Sequence, residues 1–160
     1  MKYLRTSWIL IIACAFINCS NSSQNVASKF SLPFEKIERA LENPILSPTE
    51  LYWESKDVFN PTSIEVDGKI ALLYRAEDST GIGIWNGTSR IGLAWSEDGI
   101  NFMREEKPVL EPSESYELPG GCEDPRVLRI DDTLYLTYTA YDGKTARLCL
   151  ASSKDLYNWT

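Results

Sequence analysis

The 160-residue chain has no histidine, only four cysteines and two methionines, and 16 Lys and Arg against 23 Asp and Glu, for a formal net charge of −7. Each shortage removes a class of function. Without histidine the commonest general base and metal ligand is missing, so catalysis has to rest on carboxylates, Arg, Lys, Tyr or Cys. With no His and no Cys-x-x-Cys pair, a zinc site lacks its usual ligands. The deficit of positive charge offers no field to attract a polyanion, which argues against nucleic-acid binding. Gly81 to Gly87 is glycine-rich but has neither the helix start nor the Lys of a phosphate-binding loop, and reads as a connection between strands.

Lys2 and Arg5 precede an apolar run from Trp8 to Ile17 that is about half the length of a membrane-spanning helix, the pattern of an export signal. The run ends at Phe16-Ile17-Asn18-Cys19 and is followed by the polar Ser20 to Gln24. This resembles a bacterial lipoprotein cleavage box with Cys19 as the lipidated residue. Cys14 is an alternative, and a cleaved soluble secretory protein with an incidental Cys19 is the plainer reading. The expected division is residues 1–18 as signal peptide, 19–32 as tether and 33–160 as folded domain. The expected location is the bacterial cell envelope, as a periplasmic or outer-membrane lipoprotein that meets the membrane only through its lipid. Cys122 and Cys149 are too few for a disulfide-built scaffold. Cys149, within Leu148-Cys149-Leu150-Ala151, reads as a buried strand thiol.

The sequence repeats itself at an offset of 64 residues: Asn43-Pro44-Ile45-Leu46 lies over Lys107-Pro108-Val109-Leu110, Asn60-Pro61 over Asp124-Pro125, and Leu72-Leu73-Tyr74 over Leu136-Thr137-Tyr138. After a loop of different length, Ser89 to Ser96 matches Ala146 to Ser153, and Asp98-Gly99-Ile100-Asn101-Phe102 matches Asp155-Leu156-Tyr157-Asn158-Trp159. Runs rich in Val, Ile, Leu, Tyr and Thr, bounded by Asp-Gly, Asp-Asp and Ser-Glu-Asp-Gly turns, predict antiparallel strands at Pro61–Val66, Ile70–Ala76, Arg90–Ser96 and around Phe102–Met103. About four strands per period is the signature of a β-propeller blade. A short helix is expected over Phe34 to Asn43, where apolar residues recur near a 3.6 period. Two units do not close a propeller, so the chain reads as the N-terminal part of a longer protein; a small β-sandwich with a duplicated hairpin is the alternative.

Residues ahead of the inner strands of a propeller converge on its central channel, and the repeat places Asn60 and Asp124 there, each followed by Pro. A turn-initiating Asn or Asp would look the same. Tyr74-Arg75-Ala76-Glu77-Asp78 ends one strand with a cation and two anions, and Thr88-Ser89-Arg90 begins the next with hydroxyls and a cation. Gly120-Gly121-Cys122-Glu123-Asp124-Pro125-Arg126 adds two glycines, adjacent carboxylates and an Arg. Crowded carboxylates can stay protonated and act as general acids. Structural ion pairs of Arg75 and Arg90 with Glu77, Asp78 or Glu123 are the competing account.

In this order, Asn60-Pro61, Leu73 to Asp78, Ser89 to Ala94, Gly120 to Val127 and Tyr138 to Gly143 resemble glycoside hydrolase family 130, over about Asn43 to the C-terminus. The resemblance implies an all-β, five-bladed β-propeller, of which this chain covers about the first two blades. It implies an inverting carbohydrate-active enzyme that cleaves β-mannosidic bonds, mostly by phosphorolysis to mannose 1-phosphate and in some branches by hydrolysis. Asp124 would be the catalytic acid, protonating the glycosidic oxygen through a neighbouring sugar hydroxyl. Asn60, Arg75, Ser89, Arg90, Glu123 and Arg126 would bind the sugar, and Arg147, the repeat counterpart of Arg90, would approach phosphate. No cofactor or metal is implied; inorganic phosphate would be a co-substrate, and a β-mannooligosaccharide or mannosyl-N-acetylglucosamine the substrate. Much of the family's phosphate-binding set lies in later blades, so the 160 residues alone are expected to be inactive. A sugar-binding lipoprotein without catalysis is the reading from another class.

Overall fold

The computed structural model describes residues 36–80 and 87–160, so Cys19, the expected signal and all of the expected tether over residues 19–32 lie outside the described residues. Residues Arg39–Thr160 form one compact unit. It contains seven strands: β1 (Asp57–Val66), β2 (Lys69–Glu77), β3 (Ser89–Ser96), β4 (Met103–Arg104), β5 (Gly121–Ile130), β6 (Thr133–Tyr141) and β7 (Ala146–Ser153). The fold is all-β, and each predicted strand of the first repeat is present, three of them extended by one to four residues and the fourth moved on by one, to Met103–Arg104.

The two repeats build the same meander. β1, β2 and β3 pair antiparallel in sequence order and β4 adds to β3, while β5, β6 and β7 do the same in the second repeat. Thr160 then exchanges two backbone hydrogen bonds with Ser152 of β7, at 2.8 and 3.0 Å, in the place where Met103 meets Trp95 in the first repeat. Tight reversals at Asp67-Gly68 and Asp131-Asp132 join the hairpins, with Asp67 and Asp131 at φ 52° and 51°. Asp tolerates the left-handed region better than most residues, which is why the turn signal was readable.

The expected helix over Phe34 to Asn43 does not form within its described part: residues 36–40 have no regular structure and 41–42 form a turn. Phe34 and Glu35 lie outside the described residues. A helix this short depends on burying an apolar face, and Leu41, which would have supplied it, is 98% exposed. The backbone and side-chain amides of Asn43 instead both donate to the Ala40 carbonyl at 3.3 Å. Among the described residues the helical geometry that does occur is a single 3-10 turn, Tyr52–Glu54.

The main core lies between the two meanders. Ala71, Leu73, Ile91 and Leu93 of the first pack with Cys122, Leu134, Leu136, Tyr138, Ala140, Ala151 and Leu156 of the second. A smaller cluster of Trp53, Tyr74, Ala76 and Ala94 seals the other face of the first meander. Repeat-related tyrosines are anchored alike: Tyr74 donates to the fully buried Glu54 at 2.8 Å, and Tyr138 to the buried Glu117 at 2.7 Å. Both phenols are pushed upward, mainly by burial and then by the carboxylate each one meets. Arg104 neutralises Glu54 at 2.8 Å, whereas backbone amides of Ser113 and Glu114 serve Glu117.

The meanders join through one parallel bridge, Ser89 to Gly121. Gly121 has φ 107°, and a Cβ there would come within 2.5 Å of the Ser89 backbone nitrogen, so only glycine lets the strands approach. This approach brings the end of β2 and the start of β3 against the start of β5.

Candidate active site

Asn60 and Asp124 interrupt β1 and β5 at equivalent points. Both pairings slip there, between Phe59 and Thr62 and between Glu123 and Arg126, and both residues have left-handed backbones at φ 47° and 50°. A bulge ahead of a proline re-aims the side chain at the bulge, and Asn and Asp bear that conformation at lower cost than other side chains. The two therefore turn toward each other, and Asn60 Nδ2 donates to Asp124 Oδ1 at 2.8 Å. Val127 N donates to Thr62 Oγ1 at 3.3 Å just beyond, tying the two strands together.

Arg75 organises this end of the molecule. Its Nε donates to Ser89 Oγ at 2.9 Å, its Nη1 reaches Asp124 Oδ1 at 3.3 Å, and its Nη2 reaches Glu123 Oε1 at 3.0 Å and Glu77 Oε1 at 3.3 Å. The guanidinium also lies 4.6 Å from the centre of the Phe59 ring, its cross-strand partner. The planar fork meets four acceptors at once, which a lysine cannot do. Exposure grades across the cluster: the Arg75 side chain is 12% exposed and that of Asp124 40%. Asp124 is thus the carboxylate that a ligand can reach, and Arg75 sits beneath it.

Three carboxylates share this site. Burial pushes the Glu123 carboxyl upward; Arg75 opposes that shift, and the neighbouring Asp124 and Glu77 charges add to it. Lys56 Nζ closes the far side of the cluster on Glu77 Oε2 at 2.7 Å. Among the described residues no group of three or more His, Cys, Asp or Glu is arranged to hold a metal ion.

The sequence-derived residues separate into three groups. Asn60, Arg75, Ser89, Glu123 and Asp124 come together. Ser89 is fully buried with its hydroxyl engaged by Arg75, so it supports the guanidinium and has no surface for a sugar. Arg126 lies at the rim, with Nη1 donating to the Pro125 carbonyl at 2.6 Å and 3.5 Å from the Asn60 carbonyl. Arg90 does not join them. The register sets Arg75 opposite Ile91 and Arg90 opposite Ala76, so the two arginines leave the sheet on opposite faces.

Arg90 instead donates to Asp78 Oδ2 at 2.7 Å, lies 3.6 Å from Glu111 and stacks over Tyr52 at 5.5 Å. Burial works to raise Asp78, but hydrogen bonds from Thr80, Arg90 and the Thr88 amide outweigh it and hold the carboxyl below its ordinary range. Arg147 is engaged similarly by Asp142 at 2.7 Å, away from Asp124. Cys122 faces the core, where burial and then Glu117 raise its thiol, so it presents nothing to a ligand. Phe59 and Lys56 escaped the sequence reading. Phe59 carried a signal in its position next to Asn60 on an alternating strand; Lys56 carried none.

Residues 34–160 match the family model described as beta-1,4-mannooligosaccharide phosphorylase, of glycoside hydrolase family 130. A 1,2-beta-oligomannan phosphorylase of Thermoanaerobacter sp. (strain X514) is 41% identical over 129 residues, covering 78% of this chain and 43% of its own length. A beta-1,2-mannobiose phosphorylase of the same organism is 38% identical over 138 residues, covering 78% of this chain and 44% of its own length. A solved structure from the GH130 family of mannoside phosphorylases, described as containing glycoside hydrolases that target beta-1,2 mannosidic linkages in Candida mannan, superposes with a TM-score of 0.72 and 42% identity over 76% of this chain and 40% of its own. The chain spans less than half the length of the curated relatives it matches. On the ordered motifs, the family match and the all-β fold, the chain belongs to glycoside hydrolase family 130.

Proposed function

We propose that the protein carrying this chain cleaves β-mannosides with inversion by phosphorolysis, with Asp124 as the general acid and β-1,2-linked mannooligosaccharides as substrates. The observation that carries this reading is the Asp124 carboxyl: reachable, aimed by a bulge, and held by Asn60 and Arg75 at 2.8 and 3.3 Å. A phosphate oxygen attacks the anomeric carbon from the face opposite the leaving group. The glycosidic C–O bond breaks, and the departing oxygen takes a proton delivered from Asp124 through a neighbouring sugar hydroxyl. The products are α-mannose 1-phosphate and a sugar shortened by one residue. The indirect proton path matches the separation that inversion needs between acid and nucleophile. Asn60, Glu123 and Arg126 line the rim for hydroxyls, and Arg75 stabilises the carboxylate left on Asp124 after transfer. The linkage follows the relatives named for beta-1,2 substrates.

The two meanders are read as the first blades of a five-bladed propeller. Ile91 and Leu93 are fully buried by the second meander, while their repeat counterparts Leu148 and Leu150 are 82% and 64% exposed. The same face that the first meander buries against the second is open on the second, the surface a further unit of the same kind would cover. The chain is further read as an exported lipoprotein anchored through Cys19, from the charged start, apolar run and cleavage box.

Hydrolysis is the second reading, favoured by the 42% identity to a structure from work on family hydrolases. One experiment separates the two. The protein, produced at the full length its gene encodes, is incubated with β-1,2-mannobiose with and without inorganic phosphate. Mannose 1-phosphate formed only with phosphate supports phosphorolysis. Free mannose at equal rates in both shows hydrolysis, and no product from folded protein sinks both.

A further inference from the structure

We infer that Lys56 and Glu77 are positioning residues that act on the Glu123–Asp124 carboxyl pair through Arg75. The inference rests on the reading of Asp124 as the acid. Glu77 is buried, and its two oxygens serve two cations: Oε2 takes Lys56 at 2.7 Å and Oε1 takes Arg75 at 3.3 Å. The Lys56 backbone amide also donates to the Glu77 carbonyl at 3.0 Å, so the pair is fixed by main chain as well as side chain. The other Nη2 contact of Arg75 is Glu123, and its Nη1 contact is Asp124. The order Lys56, Glu77, Arg75, carboxyl pair is therefore continuous.

Charge counting shows what this order does. Two cations face three carboxylates, leaving one negative charge in excess, which a single proton neutralises. The site is thus built to hold one proton at neutral overall charge, and an acid catalyst needs one. Glu77 draws the guanidinium away from the pair, and Lys56 limits how far by sharing Glu77. The groups around the pair are Arg75 and Glu77 from β2 and the neutral Asn60, Ser89 and Thr139 from β1, β3 and β6; Arg126 of β5 spends its guanidinium on the Pro125 and Asn60 carbonyls and forms no ion pair with either carboxyl. Lys56 reaches it at one remove.

The test uses the full-length protein and the pH dependence of kcat, in which the alkaline limb reports loss of the proton from the acid. K56M removes a positive charge and moves that limb up by about half a pH unit; E77Q removes a negative charge and moves it down by a similar amount. Both lower kcat about tenfold with KM within about twofold, because the acid is misplaced while the sugar contacts remain. K56M/E77Q returns the limb to near its original place and lowers kcat no further than E77Q alone. E77D keeps the charge and holds the limb while kcat falls, so the test survives if K56M does not fold. Limbs that stay put, or move in the same direction in both single variants, overturn the inference. D124N is run alongside: if it retains activity, the underlying reading fails, whatever Lys56 and Glu77 do.

Discussion

Asn60 and Asp124 are counterparts in the repeat, 64 positions apart, and they touch: Asn60 Nδ2 donates to Asp124 Oδ1 at 2.8 Å. A duplicated bulge has been made asymmetric by one amide-for-acid difference. Two acids would repel at this distance and two amides would carry no titratable proton, so one of each gives a carboxyl with a fixed donor. Asn60→Asp is the direct probe. It sets a second carboxylate against Asp124, and like charges keep one proton on the pair to higher pH. The expected result is an alkaline limb of the kcat profile raised by about one unit or more, read from initial rates of the proposed reaction.

Arg75 ties the same site to the core. Arg75→Met strands Glu123 and Glu77 in half-buried and buried positions without their guanidinium, at a cost of about 3 kcal/mol in folding stability, as for a buried pair that loses one partner. Arg75→Lys keeps the charge but makes fewer of the four contacts, so it should recover part of the stability and little of the turnover. Urea unfolding of the two variants beside kcat measurements checks this. A Lys variant with the stability and turnover of the unaltered protein would show that the fork geometry does not matter.

Much of the strand plan was legible because the repeat doubles the signal: each hairpin turn and bulge residue occurs twice at a constant offset. Asn60 and Asp124 could be paired from the alignment alone, although that they touch could not. Arg90 shows the limit. It looked equivalent to Arg75 in kind, but a strand reverses face at each residue, and the register that sets Arg75 against Ile91 and Arg90 against Ala76 is a property of the paired sheet. The helix expected over Phe34 to Asn43 is absent from its described part for a related reason: periodicity gives the face, but nothing in the sequence says whether a surface will cover it.

Gly121 joins the two meanders where no side chain fits. Gly121→Ala adds a left-handed strain to a clash with the Ser89 backbone, and should cost about 2–4 kcal/mol. Because Ser89 carries Arg75, activity should fall with stability in this variant. Gly68 has φ 76° with open space around it, so Gly68→Ala bears only the backbone strain of about 1–2 kcal/mol. Comparing the denaturation midpoints of the two separates clash from strain.

The anchored tyrosines predict matched losses. Tyr74→Phe and Tyr138→Phe each remove a donor from a buried carboxylate, at about 1.5–3 kcal/mol for a hydrogen bond to a charged group. Glu54 keeps Arg104 and Thr49, and Glu117 keeps two backbone amides, so neither is left bare. Chemical unfolding of the two variants should give similar shifts. A neutral result in either would mean that its carboxylate is served well enough without the phenol.

The turns after β3 and β7 set the response to acid. Asp98 and Asp155 each accept two backbone amides, a side-chain amide and a serine hydroxyl: Ile100, Asn101 and Ser96 for one, Tyr157, Asn158 and Ser153 for the other. The Asn101 and Asn158 amides lead in holding both carboxyls far below their ordinary range. A carboxyl depressed in the folded state stabilises above its unfolded value of about 3.9 and loses that contribution as pH falls toward the folded value. Asp155→Asn keeps the shape and loses the charge. Its urea midpoint should lie below that of the unaltered protein at pH 7, and the gap should shrink at pH 2.5, where the unfolded chain's carboxyl binds a proton that the folded one does not. A gap of equal size at both pH values would mean that the turn is held by its geometry and not by the charge.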